Sequence, residues 1–234
     1  MESKYKRVVL KISGEALAGN GKTGIDAAML DVVANDVKEL RKMGVQVAAV
    51  VGGGNFWRGR TGGEIDRATA DYMGMLATVM NGLALKDAFV RNGIDVRLQT
   101  AIEMKAVAEP YNINRARALL DRNIVVIFAG GIGSPFFSTD TCAALRATEM
   151  NADIILLAKN VDGVYDSDPA LNPDAKRYAS ITHSEVLEKD LKVMDSTAAS
   201  ICRDNHIKIH VFGLAEPNGI IRACAGEDIG TLVY

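Results

Sequence analysis

Three apolar runs of this chain end in glycines, and beside each turn stands a side chain able to handle a phosphoryl group. Ser13-Gly14 follows Arg7–Ile12, Gly52-Gly53-Gly54-Asn55 follows Gln46–Val51, and Gly130-Gly131-Ile132-Gly133 follows Asn123–Ala129. Turns of this kind can aim backbone N–H groups at an anion with a helix N-terminus behind them. Ordinary turns that need φ > 0 use the same residues, so the glycines alone leave both readings open. Lys11 ends a strongly apolar run, where a lysine must either reach the sheet edge or meet an anion. Arg58 follows the second turn and Asp140 the third. Two cations and an acid at three strand ends suit phosphoryl transfer, which needs positioning and charge stabilisation more than covalent catalysis.

Other chemistries fail on spacing. GNGKT (Gly19–Thr23) is not a P-loop, because Ala16 stands where GxxxxGK[ST] needs glycine. The GxGxxG fingerprint fails at Gly131–Gly133, since Ser134, Pro135 and Phe136 follow. His183, His206 and His210 have no acidic or Cys partner in sequence, and the spacing of His206 and His210 crosses from helix end into strand, so no metal site is expected. No Ser/His/Asp or Cys/His arrangement is visible.

The elements that must position these residues alternate. Apolar runs at 7–12, 46–51, 95–100, 123–129, 153–158 and 208–212 read as strands, several nearly continuous Val/Ile/Leu as in sheets covered on both faces. Ala27–Met43 carries one apolar helical stripe. Asp66–Arg91 carries another through Met73, Leu76, Met80, Leu83 and Leu85, read as core-facing, and stops before Asn92-Gly93. The expected fold class is α/β, a central, mostly parallel sheet with helices on both faces. Val161–Asp174, rich in aspartate with two prolines, reads as a loop beyond a strand end, where ligands usually bind.

Composition narrows the partners. The 234 residues carry 27 Lys+Arg against 29 Asp+Glu, a net charge of −2 that gives no reason to expect nucleic acid or an anionic membrane. The chain is long enough to bury roughly 70–75% of its unfolded surface without a staple. Three scattered cysteines with no CxxC read as reduced thiols, and no signal-like or membrane-spanning apolar run is present, so a cytoplasmic location is expected.

KISGEAL (11–17), VVGGGNFWRG (50–59), DYMGMLATVMNGLAL (71–85), GSPFFSTD (133–140), LAKNVDGVYDSDP (157–169) and EVLEKDLKVMD (185–195) closely resemble the bacterial UMP kinases (uridylate kinases) of the amino-acid kinase superfamily. The resemblance runs from about Tyr5 to the end and implies a three-layer sandwich forming one domain over 1–234, its N-terminal part binding UMP and its C-terminal part ATP. It implies ATP contacts at Lys11, Ile12, Ser13, Gly14, Gly54, Arg58, Asn160, Tyr165 and Asp168. UMP contacts are implied at Gly53, Asp71, Ile132, Gly133, Ser134, Pro135, Phe136, Phe137, Ser138 and Thr139. Lys11, Arg58 and Asp140 are the implied catalytic set, with Mg²⁺ carried by ATP and no protein ligands assigned to it. The resemblance further implies activation by GTP, through Gly19, Asn20, Gly21, Lys22, Thr23 and Gly24, inhibition by UTP, and a homohexamer. GKTGID (21–26) replaces the GFGID of many relatives, the Gly59–Asp66 loop looks shortened, and Lys159-Asn160 stands where some relatives read Thr-Lys at a purine contact. Two alternatives remain: a superfamily kinase acting on an acyl substrate, which would lack the Asp71–Leu85 block, and a non-catalytic oxoanion-storage or nucleotide-sensing relative.

Overall fold

The computed structural model describes residues 2–21, 23–57, 64–191 and 193–234. Among them, nine strands form one sheet in the order β4-β3-β5-β2-β1-β6-β8-β9-β7. β1 (Arg7–Ile12), β2 (Gln46–Val51), β3 (Val96–Thr100), β5 (Val125–Ala129), β6 (Ile154–Lys159) and β8 (Lys208–Gly213) are the long parallel strands. The short β4 (Glu109–Pro110) extends one edge, and β9 (Thr231–Val233) and β7 (Ser180–Ile181) the other, with β9 antiparallel to β8. The α/β reading holds, and five of the six expected strands are found within one residue of their limits. The sixth, expected from 123, starts at Val125 because Asn123 has a positive φ and belongs to the turn.

Two layers of apolar side chains sandwich the sheet because its residues alternate with period two. Val8, Leu10 and Ile12 of β1 join one core with α2 (Ala27–Lys42), α3 (Arg67–Arg91) and α8 (Gly219–Ala225). Val9 joins the other, with α4 (Ile113–Asp121), α5 (Thr139–Glu149), α6 (His183–Glu188) and α7 (Ser196–Asp204). Lys11 shares a face with Val9, so it points toward α5. The short α1 (Gly14–Leu17) follows β1 directly, capped by the Ser13 side chain, which accepts from the Ala16 N–H at 3.1 Å.

α3 corrects one expectation. Its core face is Met75, Val79, Leu85 and Phe89, whereas Leu76, Met80 and Leu83 are exposed, in line with Tyr72 and Val90. The sheet is met by the face carrying small and polar residues, since only these allow the helix to come close to the glycine turns. No helix of the described residues is long and apolar enough to cross a membrane.

Candidate active site

β1 and β6 adjoin in the sheet, although the chain leaves β1 toward β2 and leaves β6 toward β8. The carboxyl ends of strands at such a reversal are the usual ligand crevice of open α/β sheets. The three glycine turns gather there. A Cβ on Gly14 would stand 2.5 Å from Asn55 Oδ1 and 2.7 Å from Gly54 N, so the first two turns touch through their backbones. Gly53 is pressed on α3 in the same way, its missing Cβ 2.7 Å from Gly74 O.

Polar groups on α3 hold these turns. Asn55 and Asn81 exchange side-chain hydrogen bonds of 2.7 and 3.0 Å. Asn81 Nδ2 also donates to Gly52 O at 2.7 Å, and Asn55 Nδ2 to Gly24 O at 2.7 Å. Thr78 Oγ1 accepts from Gly130 N at 2.7 Å, which fixes the third turn to the same helix. Asn55, Thr78 and Asn81 are all buried. The sequence reading missed Thr78 and Asn81, although a buried polar residue within an apolar helix is costly without a partner and was a usable signal.

Lys11 is buried and its ammonium forms an ion pair with the Asp140 carboxylate in the first turn of α5. β1 is central, so this lysine does not emerge at a sheet edge; it survives in the core because an acid meets it. Burial pushes the Asp140 carboxyl up, but Lys11 and Lys159 outweigh it and hold it below the usual carboxylate range. Burial and the Lys11 charge lower the proton affinity of Lys159, against Asp140 and Glu15, which raise it. Ser138 caps α5, accepting from Asp140 N at 2.9 Å, and donates to Asp195. Asp195 also accepts from Thr141 Oγ1 at 3.0 Å and from Ala198 N at 3.0 Å, so one carboxylate joins the N-terminal ends of α5 and α7. Asp195 was not singled out as a site residue, because only tertiary contact reveals that it braces Asp140.

The third turn opens into the Gly131–Thr139 loop. Gly130, Gly131 and Gly133 have positive φ, and so does Phe136, at 71°. A non-glycine backbone in that region needs support. Asp71 Oδ2 provides it, accepting from Phe136 N at 2.8 Å and from Arg67 Nε at 2.9 Å. Asp71 lies in the second turn of α3, and the helix is capped by Asp66. Phe136 and Phe137 are exposed at the mouth.

Beyond β6, Val161, Tyr165, Asp168, Pro169, Lys189 and Leu191 line a cavity of about 350 Å³. Tyr165 donates to Asp162 at 2.7 Å, and Asp168 accepts from Ala170 N at 2.9 Å, so the loop is braced by its own residues. Asn160 is exposed beside it. The Gly19–Gly24 segment joins α1 to α2 and touches the second turn where Gly24 N donates to Asn55 O at 3.1 Å. Arg58, the Gly59–Gly63 part of the shortened loop and Lys22 lie outside the described residues.

Against families of known proteins, residues 6–213 match the model described as "Amino acid kinase family". The chain belongs to the amino acid kinase family. Among solved structures of this family's kinases, it is similar to UMP kinase from Bacillus anthracis at 42% identity and a TM-score of 0.94, over 98% of this chain and 96% of that one. It is similar to UMP kinase from Ureaplasma parvum at 40% identity and a TM-score of 0.92, over 98% and 99%. Uridylate kinase from Archaeoglobus fulgidus is a more distant likeness, at 27% identity and a TM-score of 0.74 over 97% and 99%. The family resemblance carried by the sequence motifs is therefore borne out along nearly the whole chain.

Among the described residues of this amino acid kinase, no group of three or more His, Cys, Asp or Glu could hold a metal. The Asp140 carboxylate, in the first turn of α5, is engaged with Lys11. Such a donor set suits Mg²⁺, which keeps its waters and is bound through one or two carboxylates and substrate phosphates, better than a protein cage.

Proposed function

We propose that this protein transfers the γ-phosphoryl of ATP to UMP, giving UDP and ADP. The observation that carries this reading is the 42% identity over 98% of the chain to a UMP kinase, with Lys11 and Asp140 paired at the strand-end crevice. A phosphate oxygen of UMP forms the new bond to the γ-phosphorus as the bond to the β–γ bridging oxygen breaks, and ADP leaves with that oxygen. Ser13-Gly14 and Gly54 give backbone N–H groups to the donor phosphates, beside Lys11 and Ile12. Lys11 neutralises charge growing on the transferred group, worth several kcal/mol where water is excluded. Asp140 holds Lys11 in place through their ion pair, and Arg58 is the further cation of this set. Mg²⁺, when bound with ATP, neutralises phosphate charge, and Asp140 is the carboxylate positioned to bear on it.

In this reading, 1–234 is one domain whose N-terminal part takes UMP through Gly53, Asp71 and Ile132–Thr139. Asp71 Oδ2 is occupied by the Phe136 N–H, which leaves Oδ1 for a ribose hydroxyl. The C-terminal part takes the adenosine of ATP in the cavity lined by Tyr165 and Asp168, with Asn160 at its edge. The exposed stripe of Tyr72, Leu76, Met80, Leu83 and Val90 along α3 supports contact with a second copy within a homohexamer. GTP activation through Gly19–Gly24 gains support from the bond between Gly24 and Asn55, which links that segment to the phosphate turn; UTP inhibition would act by occupying the UMP side. Three buried free thiols support a reducing, cytoplasmic location. The intact Lys11–Asp140 pair argues against a non-catalytic oxoanion store or nucleotide sensor, and the Asp71–Leu85 block against an acyl-substrate kinase.

ADP release with Mg²⁺-ATP, measured with UMP, CMP, AMP, glutamate or no acceptor, tests the proposal. UMP is expected to be the preferred acceptor by far. Equal rates with CMP or AMP, or ADP release indifferent to UMP, would overturn it.

A further inference from the structure

The sequence left Lys159 beside a purine contact, and the fold turns it elsewhere. Lys11 pairs with Leu157 and Ile12 with Ala158 across β1 and β6, and Ser13 N donates to Ala158 O at 3.3 Å. Lys159 therefore stands level with Ser13, at the start of the phosphate turn. Ile155 and Leu157 both belong to the core beneath α5 and α7, so two-residue alternation sends the Lys159 side chain to the face that Lys11 occupies. Its ammonium donates to Val193 O, in the segment that precedes Asp195. It feels the charges of Asp140, Lys11 and Glu15. Lys159 does not line the cavity formed by Val161, Tyr165, Asp168 and their neighbours.

A second ammonium beside Lys11 is an expensive way to satisfy one carbonyl. Like charges repel, burial penalises both, and a neutral donor would serve Val193 O equally well. The arrangement becomes favourable once a polyanion arrives. An ammonium has three N–H donors, of which the Val193 carbonyl takes one. Resting on the kinase reading above, we infer that Lys159 is a second phosphate-binding cation, which contacts the phosphate chain of the nucleoside triphosphate and not its purine. Lys11 and Lys159 then flank Asp140 from adjacent strands, and the polyphosphate lies along the ends of β1 and β6. Val193 O fixes one end of the ammonium's fork, so the remaining donors are aimed before the ligand binds.

Calorimetric titration of ATP, inorganic tripolyphosphate and adenosine separates the readings, with no acceptor present. Lys159→Gln keeps a donor for Val193 O while removing the charge, and Lys159→Arg restores a cation. The Gln variant is expected to lose roughly 10–100-fold in affinity for both ATP and tripolyphosphate, the range of a charge-assisted hydrogen bond. Its adenosine affinity should stay within about twofold, and Arg should recover most of the loss. Adenosine affinity falling as far as that for ATP would return Lys159 to the purine and overturn the inference. Unchanged tripolyphosphate binding would also overturn it, and with a lowered melting temperature would make Lys159 a brace for the Val193 segment. Because no acceptor is used, failure of wild-type protein to phosphorylate UMP would count against the proposed reaction alone.

Discussion

Asp36 and Asp140 are both enclosed carboxyl groups, one on each side of the sheet, and they titrate in opposite directions. Asp140 meets Lys11 and Lys159, which together overcome its burial and hold it below the usual range. Asp36, in the middle of α2, meets a single backbone N–H, that of Ile220 at 3.3 Å, and burial pushes it up to about 6. The cause is local. α8 is preceded by Asn218, which has a left-handed backbone and makes no side-chain cap, so Asp36 supplies the cap from another helix. An N–H dipole compensates a buried carboxylate much less than two ammonium groups do. The site compensates its enclosed acid with ammonium groups, and the opposite core carries an acid that is easier to leave neutral.

The sharpest break of this contrast is Lys11→Met. In the proposed reaction Lys11 faces the transferred phosphoryl, so kcat is expected to fall by at least about 10²-fold. The fold should suffer as well, since Asp140 is left enclosed without its closest partner. The double variant Lys11→Met with Asp140→Asn should melt above the single variant while remaining as inactive. A single variant that melts like wild type would mean the pair contributes nothing to folding.

Asp71 is the intermediate case, a carboxylate that holds the Phe136 backbone and is proposed to meet the ribose of UMP. Asp71→Ala should lower kcat/KM for UMP roughly 10–150-fold, from the loss of a hydrogen bond to a charged group, with KM for ATP nearly unchanged. Discrimination between UMP and 2′-deoxy-UMP should weaken in parallel. Equal losses for both substrates would assign Asp71 to holding Phe136 alone.

Asn81→Ala tests the uncharged scaffold. It leaves Asn55 Oδ1 and the Gly52 carbonyl without their donor, at a cost of about 2 kcal/mol in denaturant unfolding.

The pH dependence of Asp36 follows from its direction of shift. Below about pH 4 the group is neutral in both folded and unfolded chains, and its contribution to stability is fully present. As pH rises through about 6 the unfolded chain is already ionised and gains on the folded state, so that contribution is lost. Asp36→Asn should therefore melt higher than wild type at pH 7.5, with the gap closing toward pH 4. A constant gap across that range would show that Asp36 does not titrate on folding. Asp140 works in the reverse sense, stabilising above the ordinary carboxylate range and losing that contribution as pH falls.

The smallest effect belongs to Asp168, which is exposed and bonded to its own loop. Asp168→Ala should raise KM for ATP a few-fold and leave the melting temperature within about 1 °C of wild type, as surface changes do. A large loss of stability would contradict the locally braced loop.

The sequence by itself determined the layers and the glycine turns at the strand ends. Strand runs such as Val8–Ile12 and Ile154–Ala158 are apolar at every position except Lys11, a pattern that suits a sheet covered on both faces. Lys11 stood out for the same reason, since a lysine in such a run needs a sheet edge or an anion, and the structure supplies the anion. Glycines at strand ends are local necessities of backbone conformation, so the turns were legible too. What sequence could not decide was which groups meet. Asp140 reaches Lys11 only because β6 inserts beside β1, and Asp195 braces Asp140 only because α7 packs on α5. The outward stripe of α3 escaped for a related reason. Its Met and Leu residues have the helical spacing of a core face, yet close approach to the Gly53 and Gly130 turns requires Gly74, Ala77, Thr78 and Asn81 on the inner side. Periodicity reports that a helix has an apolar face; only the packed neighbours decide which face is turned to the sheet.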